Sequence, residues 1–183
     1  MTTYYPKKIV LKRGKEITIR HLEPTDAEQY PRFSEQISKE TAFTLHYPGQ
    51  FTDIDFLKEK WTQAKNDAWQ LELGGFDGER LVSHLSLYKP RPYHPYEKHV
   101  VQFGMRILKD YCSSGLGSSK LIIAEDVAKE MNVTRMQATV RTSNDIGIHF
   151  YQKHGYEIEG VKKFAIFING NFENEFYLSK ILD

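Results

Sequence analysis

The sequence has one cysteine, Cys112, among 183 residues. A lone thiol closes no internal disulfide and builds no multi-cysteine metal cage, which excludes a disulfide-stapled secreted scaffold and a structural zinc module. Excess charge is missing too: 25 Lys and Arg stand against 24 Asp and Glu, a formal net charge of +1. Constitutive nucleic-acid binders usually carry a strongly basic face, so the balance argues against a nucleic-acid partner. No apolar run approaches the ~20 residues that cross a bilayer. The opening stretch has neither the apolar segment nor the small-residue cleavage site of a secretory leader. The seven histidines show no metal-ligand spacing, so no metal is expected. These absences leave a soluble, cytoplasmic, membrane-free protein as the expectation. The length falls within the ~100–200 residues of one domain. With no repeat, low-complexity segment or Gly/Ser linker, residues 1–183 read as a single domain.

Hydrophobic periodicity divides the chain into elements. Ile9 and Leu11, then Ile17 and Ile19, alternate with polar neighbours on either side of Arg13-Gly14-Lys15 and predict a hairpin or two successive strands. Thr25-Asp26-Ala27-Glu28 reads as a capping box that starts a helix, with Pro31 inside to kink or shorten it. A second helix carries Ile54, Leu57, Trp61 and Ala64 on one face, with Thr52 as its N-cap. Between them, Phe43, His46, Tyr47 and Pro48 mark a loop with an aromatic surface. After residue 67 the period becomes that of strands: Trp69, Leu71 and Leu73, then Leu81, Ser83, Leu85 and Leu87, joined by a type I′ turn at Asp77-Gly78. A proline-rich connection over 89–96 leads to the apolar run Val100 to Leu108, which suits a central strand buried on both faces. A helix is expected over 118–131 and a strand at Met136, Ala138 and Val140. Another helix over 144–154 has Asn144 at its N-cap and Gly155 as its stop, and two strands flank Asn169-Gly170. This order predicts an α/β (α+β) fold around one mixed sheet.

The segment that carries chemistry runs from Ile107 to Leu121. A buried strand enters a glycine-containing turn, Cys112-Ser113-Ser114-Gly115-Leu116-Gly117, and the turn opens a helix. The first turn of a helix leaves backbone N–H groups unpaired and carries the positive end of the macrodipole. Glycines let a ligand approach the backbone closely, and together these features suit a phosphate or pyrophosphate. The turn is not a Walker A loop, since it lacks the GK[ST] ending, and Lys120 occupies the third glycine position of a Rossmann fingerprint.

Three ordered motifs resemble the GNAT superfamily of acetyl-CoA-dependent N-acetyltransferases. The glycine turn is similar to that family's [Arg/Gln]-x-x-Gly-x-[Gly/Ala] pyrophosphate loop. The strand Gln102-Phe103-Gly104-Met105-Arg106-Ile107 is similar to its Glu-x-Gly-x-x-Val strand. Val140, Asn144 and Phe150-Tyr151-Gln152-Lys153-His154-Gly155-Tyr156 resemble its last motif helix. The overall look is nearest to the ribosomal-protein alanine and polyamine acetyltransferase branch. The resemblance implies a single-domain fold with a mixed, mostly antiparallel central sheet of about seven strands and helices on both faces. It further implies acetyl-CoA as co-substrate and an amine-bearing small molecule or a peptide N-terminus as acceptor. A homodimer is the family's frequent habit.

The resemblance also implies roles. Free backbone groups of Met105, Arg106 and Ile107 would hold the pantetheine arm, the Ile107 N–H would polarise the thioester carbonyl, and the amides of Ser113, Ser114, Gly115, Leu116, Gly117 and Ser118 would hold the pyrophosphate. Asn144 would cap its helix, contact the cofactor arm, or both. Tyr151 is the expected acid, handing a proton to the departing thiolate. The general base is open. The family's strand Glu is Gln102 here, which takes no proton at neutral pH, and Glu97, His99, His84 or a water are the alternatives. Cys112 stands where the loop usually has Arg or Gln. Phe43, Tyr47, Phe51, Tyr88, Tyr93 and Tyr96 either wall the acceptor pocket or pack the core. The alternative to an enzyme is a non-catalytic acyl-CoA sensor; Gln102 supports it and Tyr151 argues against it.

Overall fold

The computed structural model describes residues 6–91 and 94–183; Tyr93 lies outside them. The strands are β1 (Lys7–Val10), β2 (Glu16–His21), β3 (Leu71–Asp77), β4 (Arg80–Tyr88), β5 (Val100–Ile107), β6 (Arg135–Arg141), β7 (Glu157–Ile168) and β8 (Asn171–Ile181). The α-helices are α1 (Tyr30–Glu40), α2 (Ile54–Asn66), α3 (Leu116–Glu130) and α4 (Asp145–Lys153). Among the described residues the strands form one eight-stranded sheet, one more than the expected seven, in the order β1-β2-β3-β4-β5-β6-β8-β7. Every pairing is antiparallel except β5 with β6.

Several boundaries differ from the sequence reading, each for a local reason. Residues Pro24–Gln29 form a 3₁₀ turn rather than the first turn of an α-helix. Asp26, not Glu28, reaches back, accepting from the Glu23 N–H at 2.8 Å while both Arg20 guanidinium nitrogens grip its carboxylate. α1 therefore starts at Tyr30, which puts Pro31 in the first turn, where a missing N–H costs nothing and no kink follows. The cap of α2 is Asp53, which accepts from the Phe56 N–H at 2.9 Å and adds a negative charge at the positive end of the helix. At the β3–β4 hairpin the register pairs Asp77 with Arg80, so the two-residue loop is Gly78-Glu79, with positive φ at Gly78 alone. That is the II′ pattern, not I′. Asn169 and Gly170 both have positive φ, as a I′ turn requires.

Helices cover both faces. On β4, His84 faces the rings of Tyr30 from α1 and Trp61 from α2, with centroids 5.5 and 6.4 Å away. Ser83, of opposite parity, meets α3 through a bond from Lys120 Nζ at 3.0 Å. The feature that positions the site is where pairing stops. β5 and β6 share three rungs, Val100–Arg135, Val101–Met136 and Gln102–Gln137, although β5 continues to Ile107 and β6 to Arg141. Beyond Gln102 each strand keeps its outer neighbour and the two diverge, opening a wedge in the middle of the sheet.

Candidate active site

The parity of β5 decides which backbone groups face the wedge. Leu108 donates its N–H to the Val82 carbonyl at 3.0 Å, and the β4–β5 register carries that pairing to His84–Arg106 and Ser86–Gly104. Alternation then turns the N–H and C=O of Met105 and Ile107 toward β6, which no longer reaches them. Of the three strand residues expected to offer free backbone groups, Arg106 is instead engaged with β4. Its side chain lies on the His84 face, where its charge opposes the effect of burial on the Tyr30 phenol and where its Nη1 is buried without a partner among the described residues.

The glycine turn leads straight into α3, which begins at Leu116, two residues before the expected 118. Its N-cap is Gly115, with φ 99°, so no side chain caps the helix. Ser119 donates back to the Gly115 carbonyl at 3.0 Å, Leu116 has a long 3.5 Å contact to Ser114 Oγ, and the N–H groups of Gly117 and Ser118 bond no described residue, the state of the first N–H groups of a helix. Ser113, at φ 55°, and Ser114 shape the turn: Ser114 Oγ donates to the Tyr111 carbonyl at 2.5 Å, and the Ser114 carbonyl accepts from Lys12 N–H at 3.1 Å. A β-carbon on Gly117 would stand 3.2 Å from Ile107 Cδ1 and 3.3 Å from Phe150 Cε2. Strand, loop and last helix thus converge on one glycine.

α4 supplies Tyr151 and Asn144. Tyr151 packs edge-on to Phe103, Phe150 and Tyr156, with centroids 5.7, 5.3 and 5.8 Å away. Its hydroxyl has no hydrogen bond to any described residue, and burial pushes its pKa up to about 12. Asn144 Oδ1 accepts from the Gly147 N–H at 3.0 Å, which is the cap, and its amide N–H₂ makes no bond to a described residue. Cys112 Sγ approaches the Ile107 and Leu108 carbonyls at 3.7 and 3.6 Å, while burial and the nearby Glu40 carboxylate push its thiol up. The residue is exposed, and this shift keeps its sulfur a thiol at neutral pH, the less nucleophilic form.

The other face of the wedge holds a pocket of about 360 Å³, lined among others by Leu45, Gln102, Gln137, Thr139, Glu175 and Tyr177. Among the described residues, none of the expected aromatic wall residues lines it. Phe51 and Tyr96 are 85% and 83% exposed, and Phe43, Tyr47 and Tyr88 are exposed too. The three candidate bases are also elsewhere. Glu97 pairs with Arg91 at 2.8 Å, and Glu97 and His99 precede β5, at the end where the strands are still joined. His84 is buried, with Nε2 2.6 Å from a Glu72 oxygen and Nδ1 3.1 Å from the Tyr30 hydroxyl. Burial pushes its pKa down to about 4, so it is neutral and both ring nitrogens are occupied. Glu175 is the pocket residue that sequence reasoning missed. It lies in a strand with no motif around it, and the β6–β8 register alone brings it to this face.

The family-wide sequence profile described as "Acetyltransferase (GNAT) family" matches residues 35–156. The chain belongs to that family. It is 27% identical over 167 residues to the L-amino acid N-acetyltransferase AaaT of Escherichia coli (strain K12), covering 91% of this chain and 98% of the relative. A GNAT-family acetyltransferase from Streptococcus pneumoniae superposes with a TM-score of 0.84 at 27% identity, over 90% of this chain and 99% of that one. A putative acetyltransferase from Salmonella typhimurium, solved with its cofactor acetyl-CoA, has the same fold: TM-score 0.77 at 17% identity, over 91% and 94% of the two chains. This GNAT protein is therefore an acetyl-CoA-dependent N-acetyltransferase. Its residues fit the co-substrate, with N–H groups at the start of α3 that bond no described residue, a glycine there packed directly against Ile107, and the backbone groups of Met105 and Ile107 turned into the wedge. Among the described residues no cluster could hold a metal ion and no helix is long and apolar enough to cross a membrane.

Proposed function

We propose that this GNAT protein transfers the acetyl group of acetyl-CoA directly to a primary amine, either of a small molecule or of a peptide N-terminus, and works in the cytoplasm as one catalytic domain. The observation that carries the reading is the meeting of Ile107, Gly117 and the Phe150-Tyr151 pair at the wedge. The N–H groups of Gly117 and Ser118 hold the pyrophosphate, with the turn from Ser113 to Leu116 shaping the cradle. The open edge of β5 at Met105 and Ile107 holds the pantetheine arm, and the free amide of Asn144 adds a donor to it. The Ile107 N–H then polarises the thioester carbonyl, where negative charge develops during attack.

Tyr151 serves the leaving group. With a pKa near 12, its hydroxyl is fully protonated at neutral pH, while a thiol has a pKa of about 8.5. Complete transfer from phenol to thiolate is therefore uphill unless a proton is returned to the phenolate, and amine attack releases such a proton. The acceptor enters from the Gln102 face, opposite α4. The relative named an L-amino acid N-acetyltransferase supports a small amine as acceptor. The test is thiol release from acetyl-CoA against spermidine, the free L-amino acids and short peptides with a free N-terminus. Release with at least one of these supports the reading. Binding of CoA with no turnover of any amine contradicts it.

A further inference from the structure

We infer that Glu175 is the general base that takes the acceptor's proton, the role left open by Gln102. The inference rests on the acetyl-transfer reading above. Two carboxylates line the acceptor-side pocket, Glu159 and Glu175. Glu159 is already committed: the two terminal nitrogens of Arg135 fork onto its oxygens and the Ser179 hydroxyl donates at 2.6 Å. These bonds hold its pKa down to about 2, which makes it a poor proton acceptor. Glu175 differs. Its side chain is 12% exposed, it forms an ion pair with the half-exposed Lys162 at 3.5 Å, and no N–H or O–H of a described residue donates a closer hydrogen bond to it. It is a mostly desolvated carboxylate, open to the pocket, with unused acceptor capacity.

Topology places it on the reacting side. Gln102 pairs with Gln137, and β6 then pairs Gln137, Thr139 and Arg141 with Ser179, Tyr177 and Glu175 of β8. All of these share one face, and Arg141 lies at the open end of the wedge. The charged and titratable groups facing Glu175 are Lys162 from β7, Arg141 from β6, Glu173 and Tyr177 along β8, and the Arg135–Glu159 pair deeper in the pocket. Arg141 is directed elsewhere, with Nη2 on the Thr44 carbonyl at 3.3 Å and Nη1 3.7 Å from Glu173.

The acceptor arrives as an ammonium, and one proton passes to Glu175, directly or through one water, and on to bulk solvent. The neutral amine forms the new C–N bond. Its second N–H proton leaves to solvent as the C–S bond breaks, the sulfur takes the Tyr151 proton, and solvent returns a proton to the phenolate. The net change is ammonium plus acetyl-CoA to acetamide, CoA thiol and one free proton.

The experiment compares wild type with Glu175→Gln and Glu175→Ala, using whichever of spermidine, the L-amino acids and the peptides is acetylated, with acetyl-CoA affinity measured separately by calorimetry. Glu175→Gln is expected to lower kcat/KM for the amine about 10²-fold with acetyl-CoA affinity unchanged, and kcat should rise with pH at unit slope as hydroxide replaces the lost base. Added formate should restore part of the rate of Glu175→Ala, which a structural role would not produce. Near-wild-type rates in Glu175→Gln, or a loss independent of pH and of formate, overturn the assignment alone. A wild type that binds acetyl-CoA but acetylates none of the amines overturns the assignment together with the reading beneath it.

Discussion

Gly117 lies directly against Ile107: a β-carbon on the glycine would stand 3.2 Å from Ile107 Cδ1. This contact ties the start of α3 to the open edge of β5, so the proposed pyrophosphate cradle and the proposed thioester-polarising N–H are held by one packing relationship. Gly117→Ala should be nearly neutral for stability, because the gain of about 1 kcal/mol in helix propensity offsets mild crowding. The KM for acetyl-CoA should rise about tenfold, equivalent to roughly 1.4 kcal/mol. Steady-state kinetics beside a melting curve check this, and an unchanged KM would move the cradle away from Gly117. A tryptophan there would overpack Ile107 and Phe150 and should cost the fold as well as binding.

Tyr151 tests the leaving-group side of the chemistry. Tyr151→Phe keeps the ring contacts to Phe103 and Tyr156 and removes only the hydroxyl. The expected result is a fall in kcat of about 10²-fold or more with acetyl-CoA affinity unchanged. Equal kcat in the two proteins would take Tyr151 out of its role.

The buried His84–Glu72 pair predicts how stability depends on pH. His84 titrates near 4 in the folded protein against 6.5 as its ordinary value, so the unfolded chain binds the extra proton between these limits. Stability is therefore full above about pH 6.5 and falls as the pH drops toward 4, by roughly 3 kcal/mol at about 1.4 kcal/mol per unit. Glu72, lowered from its ordinary range by His84 and Lys60 despite the opposing effect of burial, acts in the same direction at still lower pH. Denaturant midpoints measured from pH 4 to 8 check the slope, and replacing His84 with Gln should flatten it.

Cys112 should be chemically quiet. Its raised pKa keeps it a thiol at neutral pH, so alkylation by iodoacetamide should be slow at pH 7 and accelerate toward pH 10. Cys112→Ser should leave the acetyl-transfer rate essentially unchanged, because the thiol takes no part in the proposed chemistry. Loss of transfer in the serine protein would give the thiol a role.

Most of the fold was legible because it is written in short-range patterns. Alternation marked the strands around Ile17, Leu73 and Leu85, and Asn144 and Gly155 marked the ends of α4. The α1 start was misread because Asp26 has its partner in Arg20, on a preceding strand, a contact that no local motif encodes. The glycine turn and the helix it opens were legible for the same reason as the fold, since glycines and a helix start announce them. The acceptor side was not. Gln102, Thr139, Glu175 and Tyr177 come from three strands, and their meeting depends on the divergence of β5 from β6 and on β8 inserting beside β6. Glu97 and His99 looked close in sequence to the strand motif, yet β5 carries its open end away from them.

The central claim is direct transfer at the wedge, and rapid-quench single-turnover kinetics with an accepted amine test it most directly. The account predicts that CoA thiol and acetylated amine appear together at one rate, with no thiol released before the amine is added. A burst of thiol with acetate left on the protein, or thiol release that ignores the amine, would contradict it.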